Sequence, residues 1–145
     1  MQGEKMQYVE RELAPDTKIP IRIGFIKSNG YPSIISLWYI DIDGKIYCAT
    51  QKTAKIIQYL ETNPSCGFEI ASDQPPYKGS RGEGIVKIIP SKGPKILNLL
   101  IKKYLGEKES TLSKFLRGHS QNEIAIEITP TKIFHYDYSK RMKGI

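Results

Sequence analysis

The sequence is poor in the residues that build metal sites and disulfide frameworks. It has two cysteines and two histidines among 145 residues, and no CxxC pair or Cys/His cluster shows metal-site spacing. Cys48 and Cys66 lie in strand-like segments, which predicts two buried free thiols. The spacing of the two cysteines does not decide whether they form a disulfide between neighbouring strands. A cysteine-rich extracellular scaffold and a zinc module are therefore excluded.

Long apolar segments are also missing. None approaches the ~20 residues that span a bilayer, and the first sixteen residues lack the apolar core of a signal peptide. We therefore expect a cytoplasmic protein with no membrane partner. The length predicts one domain over residues 1–145, with residues 1–18 as an N-terminal arm or short helix.

Acidic residues are outnumbered by basic ones, which gives a formal net charge of +7 and a pI near 9.3. This excess favours an anionic partner, whether a phosphate ligand, a nucleic acid or an acidic protein. The lysines are scattered over every predicted element, which argues against a nucleic-acid interface, since that would concentrate them on one face.

Most of the regular structure is predicted to be β. Two early strands, at 19–28 and 32–42, flank Asn29-Gly30, which is typical of a type I′ hairpin turn. Asp43-Gly44 predicts a second hairpin to a strand at 45–50, so that the three strands form an antiparallel meander. Further strands are predicted at 65–72, 84–90, 123–130 and 131–139.

Helical periodicity is confined to three segments. An amphipathic helix is predicted from Thr53 to Asn63, ended by Pro64. A second runs from Ser91 to Gly106 with Lys102 and Lys103 on its solvated side, and a short third covers 111–117. Residues 73–84 are predicted to be a long loop. The order β-β-β-α-β-β-α-β-β predicts a mainly β protein, a partly opened antiparallel barrel with α-helices.

The junction between the third strand and the first helix is the best local candidate for a ligand site. Thr50 and Thr53 offer hydroxyls beside the free N–H groups of a helix start. Lys52 and Lys55 add two positive charges where the helix dipole already disfavours cations, which makes sense if an anion lies between them. The alternative is that one threonine is only an N-cap and both lysines point to water.

Two other segments carry weaker indications. The strand with the sole tryptophan, Trp38, is apolar on both faces, so its second face needs a helix, a subunit or a planar ligand as cover. Glycines flank Arg81 in the segment 77–84, which allows close backbone approach and pairing with an anion, although such a segment is often only a wide turn.

Four stretches, taken in order, carry a family resemblance. They are NGYPSIISLWY, DGKIYCATQKTAKIIQYLETNP, YKGSRGEGIVKI and TPTKIFHYDYSKR. From about Pro20 to Arg141, the chain resembles the pyridoxamine 5′-phosphate oxidase-like family of FMN-binding split β-barrels, antiparallel and Greek-key-like.

The resemblance implies a homodimer with FMN in two clefts between the subunits. It places the isoalloxazine along the backbone of Ser36, Leu37 and Trp38. It implies phosphate binding by Thr50, Thr53 and Lys55, with Lys52 nearby. Arg81 would lie close to the flavin or its phosphate, and the segment from Tyr138 to Arg141 would reach the cleft.

The C-terminal sequence YDYSKRMKGI lacks the arginine-containing motif of true pyridoxamine phosphate oxidases, so that activity is not expected. The resemblance instead implies a flavin-dependent oxidoreductase, with NAD(P)H as a possible hydride donor. An F420 (deazaflavin) reductase, a non-catalytic flavin binder and a basic nucleic-acid-binding β-barrel remain as alternatives. No metal site is expected. Catalytic residues are not identified, and Tyr39, Tyr77 and His135 are the candidates for proton transfer.

Overall fold

The computed structural model describes residues 18–143 of the chain. The predicted N-terminal arm therefore lies outside the described residues, except for Lys18. Among the described residues, no helix has both the length and the apolar character needed to cross a membrane.

The first predicted hairpin is confirmed, but its turn is not type I′. Strands β1 (Ile21–Ile26) and β2 (Pro32–Leu37) pair antiparallel from Ile26↔Pro32 to Ile21↔Leu37. The loop between them has five residues, closed by a hydrogen bond from Gly30 N to Lys27 O (2.9 Å), and only Gly30 has a positive φ (85°). A type I′ turn needs positive φ at two central residues.

The second hairpin has the tight turn that the first lacks. Strands β3 (Ile40–Ile42) and β4 (Lys45–Gln51) are joined by Asp43 and Gly44, with φ of 52° and 80°. Positive φ at both central residues is what a two-residue type I′ turn requires.

The predicted three-stranded meander is wrong, because the strand predicted at 32–42 breaks at Trp38 and Tyr39. Within residues 18–143, seven strands form one antiparallel sheet in the order β2-β1-β5-β6-β7-β4-β3, so the two hairpins lie at opposite edges. Only two residues connect these edges, so the sheet must curl until β2 and β3 lie close together without pairing. The predicted antiparallel split barrel is thereby confirmed.

The glycine-rich segment predicted as a loop is mostly strand. Strand β5 (Ser65–Ala71) pairs with β6 (Lys78–Ile89), and only residues 72–77 connect them. Gly79 and Gly82 occur here because neighbouring backbone comes very close: a Cβ on Gly82 would collide with the carbonyl oxygen of Lys132. Glycine in this segment reflects strand contact and not a turn.

The two predicted C-terminal strands are one continuous strand, β7 (Glu123–Asp137), which pairs with β4 and β6. Gly84 pairs with Pro130 and Glu83 with Lys132, so Thr131 is an extra residue in a β-bulge. Pro130 is accommodated at this irregularity, as expected for proline within a sheet.

Three helices of the described part of the chain cover parts of the barrel. Helix α1 (Lys55–Thr62) ends before Pro64 as predicted, and α2 (Gly93–Leu105) follows a 3₁₀ turn at Pro90–Lys92 and ends at Gly106 with φ of 83°. Helix α3 (Thr111–Gly118) begins with a capping box formed by Ser110 and Ser113. A 3₁₀ turn at Ser120–Asn122 leads into β7.

The barrel interior contains the main hydrophobic core, which is built around fully buried isoleucines. Helix α1 closes one end of the barrel and contributes to this core. The two cysteines are buried and free, as predicted. Burial raises the pKa of Cys66 to about 11 and raises that of Cys48 further, so both thiols stay protonated at neutral pH. They act as small apolar side chains in this core.

Candidate functional site

The start of helix α1 has no capping side chain. Ala54 occupies the N-cap position in extended conformation, and no side chain accepts a hydrogen bond from the first turn. Thr50 and Thr53 are thus not N-caps, so the first part of the alternative interpretation is wrong, whereas both lysines are exposed as its second part expects. Ile57 N donates to Ala54 O (3.1 Å), so the N–H groups that precede it in the first turn are those that can bind an anion.

Positive charge surrounds this helix start. Lys52, Thr53 and Lys55 are exposed, Thr50 is half-buried at the end of β4, and the first turn contains no acidic residue. Among the described residues neither lysine forms an ion pair. Glu123 lies opposite Gln51 in the sheet, and burial raises its pKa. The structure therefore brings Thr50, Lys52, Thr53 and Lys55 together at one junction.

The segment Ser36–Trp38 lies at the edge of the barrel. Ser36 is exposed on the outer face opposite Arg22, and Leu37 turns toward the core. Trp38 leaves the strand and stacks on Tyr104 of α2, with ring centroids 4.8 Å apart and planes within 6°. Helix α2 thus provides the cover that the sequence predicted for the face of this segment that contains Trp38.

Arg81 lies on the outer face of β6, far from the helix start. Its cross-strand neighbours on that face are Glu69 and Phe134, and its guanidinium lies 5.4 Å from the ring centroid of Tyr136. Arg81 pairs with Phe134 of β7 and Thr50 with Ile124, ten residues apart on that strand. Ten residues correspond to roughly 30 Å along a strand. Within one chain, Arg81 is not part of the helix-start site.

An apolar region on the outer side of β2, β1, β5 and β6 has no cover from the part of the chain that the structure describes. We call it the open face and define it by Ile26, Ile34 and Ile85 around Gly24 and Gly67. The three isoleucines are 41%, 73% and 46% exposed. They line a cleft of about 560 Å³ whose floor includes the two glycines. No atom comes within 3.7 Å of a Cβ built on either glycine, so the fold itself does not require glycine there.

The candidates for proton transfer differ in accessibility. Tyr39 is 1% exposed and belongs to the core. Tyr77 is exposed in the β5–β6 connection, and His135 Nδ1 lies 2.8 Å from Ser80 Oγ. Tyr136, which sequence reasoning overlooked, donates a hydrogen bond to Glu69 (2.6 Å), and burial together with this bond raises its pKa to about 12.

Lys103 was predicted to be solvated, and this is wrong. It is half-buried, and its Nζ donates a hydrogen bond of 2.7 Å to the carbonyl oxygen of Tyr39. Burial lowers its pKa to about 8. The sequence does contain a signal: Lys103 follows Leu100 by three residues, which places it at the border of the apolar side of α2.

No cluster of three or more His, Cys, Asp or Glu side chains that could hold a metal ion occurs in residues 18–143.

Comparisons with known proteins define the fold. No family model matches the chain, and no curated protein is significantly similar in sequence. Among solved structures, the conserved hypothetical protein Rv2991 from Mycobacterium tuberculosis aligns with a TM-score of 0.74 and 17% identity over 97% of this chain and 87% of that one. An F420 reductase aligns with a TM-score of 0.70 and 14% identity over 85% and 94%.

A candidate pyridoxamine 5′-phosphate oxidase from Listeria innocua aligns with a TM-score of 0.64 and 15% identity over 87% of this chain and 95% of that one. Other matches are a FAD-binding protein from Mesorhizobium loti and a haem storage protein from Vibrio cholerae, with TM-scores of 0.64 and 0.66. This chain therefore has the split-barrel fold of the pyridoxamine 5′-phosphate oxidase-like proteins, and the resemblance deduced from its sequence is confirmed at the level of fold.

Proposed function

We propose that this protein is a cytoplasmic, homodimeric FMN-binding flavoprotein that acts as an oxidoreductase. Two groups of observations support the proposal: the split-barrel fold, and similarity to structures of a FAD-binding protein and an F420 reductase. A bound flavin would supply hydride or electron transfer, with NAD(P)H as the proposed donor. The residues of this chain would bind and orient the flavin.

The uncapped start of α1 is the single observation that carries the proposal. Lys55 in the first turn and Lys52 just before the helix, with no acidic residue in that turn, are electrostatically unfavourable without an anion. A phosphate monoester carries up to two negative charges and accepts several hydrogen bonds, so it matches free N–H groups, two ammonium groups and the hydroxyls of Thr50 and Thr53. We assign the FMN phosphate to this junction.

The rest of the flavin would extend toward the barrel edge. We assign the isoalloxazine to the backbone of Ser36, Leu37 and Trp38, where β2 has no neighbour on its outer side in the sheet. An edge strand offers N–H and C=O groups to a ligand.

The proposed dimer accounts for Arg81. A separation of roughly 30 Å along β7 prevents Arg81 and Thr50 of one chain from contacting one flavin phosphate. If a second copy packs on the open face, Arg81 of one subunit can approach the helix start of the other. The exposed isoleucines above a glycine floor suit such close packing, because large apolar patches typically mark interfaces.

A phosphate-specific substitution tests the assignment. Lys55→Ala should weaken FMN binding by about tenfold or more, which is the usual effect of losing a charge-assisted hydrogen bond. Riboflavin, which has no phosphate, should bind this variant and the wild type equally. Quenching of flavin fluorescence measures both affinities.

The control is Lys108→Ala, which removes an exposed lysine in the connection between α2 and α3. It should leave both affinities unchanged. Equal losses of FMN and riboflavin in Lys55→Ala would contradict the phosphate assignment, and a wild type that binds neither flavin would refute the proposed function.

A complementation experiment tests the composite site. Lys55→Ala and Arg81→Ala homodimers should each bind FMN weakly. After subunit exchange at equal amounts, about a quarter of the sites should regain wild-type affinity, because half the dimers are mixed and each contains one intact site. If Arg81 acts within its own chain, or not at all, mixing restores nothing.

A deazaflavin is the second candidate cofactor, favoured by the F420 reductase among the structural neighbours. F420 also contains a phosphate, which could occupy the same helix start. Titrating the wild type with FMN and F420 in parallel distinguishes the two. Tighter binding of F420, with reduction of a substrate by reduced F420 only, would replace FMN in the proposal.

A further inference from the structure

The break between β2 and β3 is held by the end of helix α2. The hydroxyl of Tyr104 accepts a hydrogen bond from Tyr39 N (3.2 Å) and donates one to Ile19 O (3.0 Å). The indole of Trp38 stacks on the ring of Tyr104. Lys103 Nζ donates to Tyr39 O (2.7 Å). Both polar groups of the Tyr39 backbone are thus fixed from α2.

The charge of Lys103 contributes to this attachment. Its Nζ lies 3.6 Å from the ring centroid of Tyr39 and 5.0 Å from that of Tyr104, within the range of cation–π attraction. Loss of the proton would abolish the attraction to both rings and weaken the hydrogen bond to the carbonyl. The conformation of the break therefore depends on the charge of Lys103.

Several titratable groups surround Lys103. They are Asp41 on β3, Cys48 on β4, Tyr39 in the break and Tyr104 on α2 itself. Burial raises the pKa values of Cys48 and Tyr104, so neither ionises near neutral pH. Burial lowers the pKa of Lys103 to about 8, against the pull of the Asp41 charge.

We propose that Lys103 is a positioning residue that holds the Trp38–Tyr39 break in place, so that flavin binding by the preceding segment Ser36–Trp38 depends on its charge. This inference rests on the proposed function, because it needs the flavin to lie along that segment. Lys102, the preceding residue on α2, is exposed and has no contact of this kind, which makes it a matched control.

The first experiment needs no cofactor. Trp38 is the only tryptophan in the chain, so intrinsic tryptophan fluorescence reports on the break alone. In the apo wild type and in Lys102→Met, the emission should change with a midpoint near pH 8, the pKa of Lys103. Lys103→Met should show no such transition. Lys103→Arg keeps its charge at every accessible pH, so it should show at every pH the emission that the wild type shows below pH 8.

The second experiment measures FMN affinity between about pH 7 and pH 9.5. In the wild type and Lys102→Met, FMN should bind about tenfold more weakly at the upper pH. Lys103→Arg should keep tight binding over this range, and Lys103→Met should bind weakly throughout. The affinities of two variants are compared as a ratio at the same pH, so that any ionisation of FMN itself cancels.

The outcomes separate the two proposals. If all four proteins bind FMN with the same pH dependence, the role of Lys103 is refuted and the proposed function stands. If Lys103→Met retains the fluorescence transition near pH 8, Lys103 does not control the break. If the wild type shows the transition but binds no flavin, the proposed function and the cofactor role of Lys103 both fail.

Discussion

The two halves of the barrel wall differ in how their outer surfaces are covered. On β3, β4 and the first part of β7, helix α2 packs Leu100 and Tyr104 against Tyr47 and Ala125 in a second buried cluster. On β2, β1, β5 and β6, no helix within residues 18–143 covers the open face, and Ile34 is the most exposed of the large apolar side chains described. Both halves share one interior core.

The difference distinguishes a half that helix α2 covers from a half that no other element of residues 18–143 covers. A sheet that is apolar on both faces must be covered on both, and among the described residues one long helix, α2, provides such cover. The helix covers the half that contains Trp38 and Lys103. The other half retains an apolar surface of the kind that marks an interaction site in soluble proteins.

Truncating one side chain in each half should give the largest contrast. Leu100→Ala removes a fully buried side chain under α2 and should cost about 2–5 kcal/mol of unfolding free energy, independent of protein concentration. Ile34→Ala should cost within about 0.5 kcal/mol in the monomer, with a further loss that depends on concentration because dimerisation is linked to folding.

Urea unfolding at several protein concentrations measures both effects. A concentration-independent effect of Ile34→Ala would show that the open face is not a subunit interface. Leu112→Ala, at an exposed position on α3, is the control and should have little effect at any concentration.

Two glycines on the paired strands β5 and β6, Gly67 and Gly82, give the next contrast. A Cβ at Gly82 would meet Phe68 Cζ at 2.8 Å and overlap the Lys132 carbonyl oxygen, so Gly82→Ala should destabilise the protein by about 1–3 kcal/mol. At Gly67 the nearest atom is Gly82 O at 3.7 Å, so Gly67→Ala should leave the monomer as stable or slightly more so.

The methyl group of Gly67→Ala would stand on the floor of the open face and weaken dimerisation there. Thermal unfolding together with sedimentation velocity separates the two effects. Tight dimerisation by Gly67→Ala would contradict close packing at that floor.

Local sequence patterns predicted the elements that depend on local chemistry. The turn at Asp43-Gly44, the end of α1 before Pro64 and the C-cap at Gly106 all follow from the conformational limits of a few adjacent residues. The candidate phosphate site is equally local, because its threonines, lysines and helix start lie within six consecutive residues, but its phosphate-binding role stays a prediction.

Features set by distant contacts could not be predicted. No glycine or proline marks the break at Trp38 and Tyr39. The two halves of the predicted strand pair with β1 and with β4. These strands lie in different parts of the sheet, and this causes the break. The glycines of β6 have the composition of a loop, but the approach of Lys132 and Ala71 explains them. The distance from Arg81 to the helix start depends on the register of β6 and β7, which no local pattern specifies.

The last expected effect is a pH dependence of stability, and it concerns Lys103, a half-buried cation on the helix-covered half. The pKa of Lys103 falls from its ordinary value of 10.5 to about 8 on folding. Below pH 8 both the folded and the unfolded chain carry this proton, and the burial penalty is fully present. As the pH rises from about 8 to about 10.5, the folded chain loses the proton before the unfolded chain does, so this penalty disappears and stability increases.

Lys103→Met removes that contribution. The unfolding free energy of the wild type relative to this variant should therefore rise between pH 8 and 10.5, while Lys102→Met follows the wild type throughout. Urea unfolding at pH values spanning this window measures it, and a constant difference would mean that Lys103 is not desolvated in solution. At neutral pH, Lys103→Met should be at least as stable as the wild type, because it no longer buries a charge. If Lys103→Met is as stable as the wild type at neutral pH, stability does not account for Lys103, whereas the proposed role in holding the break at Trp38 and Tyr39 does.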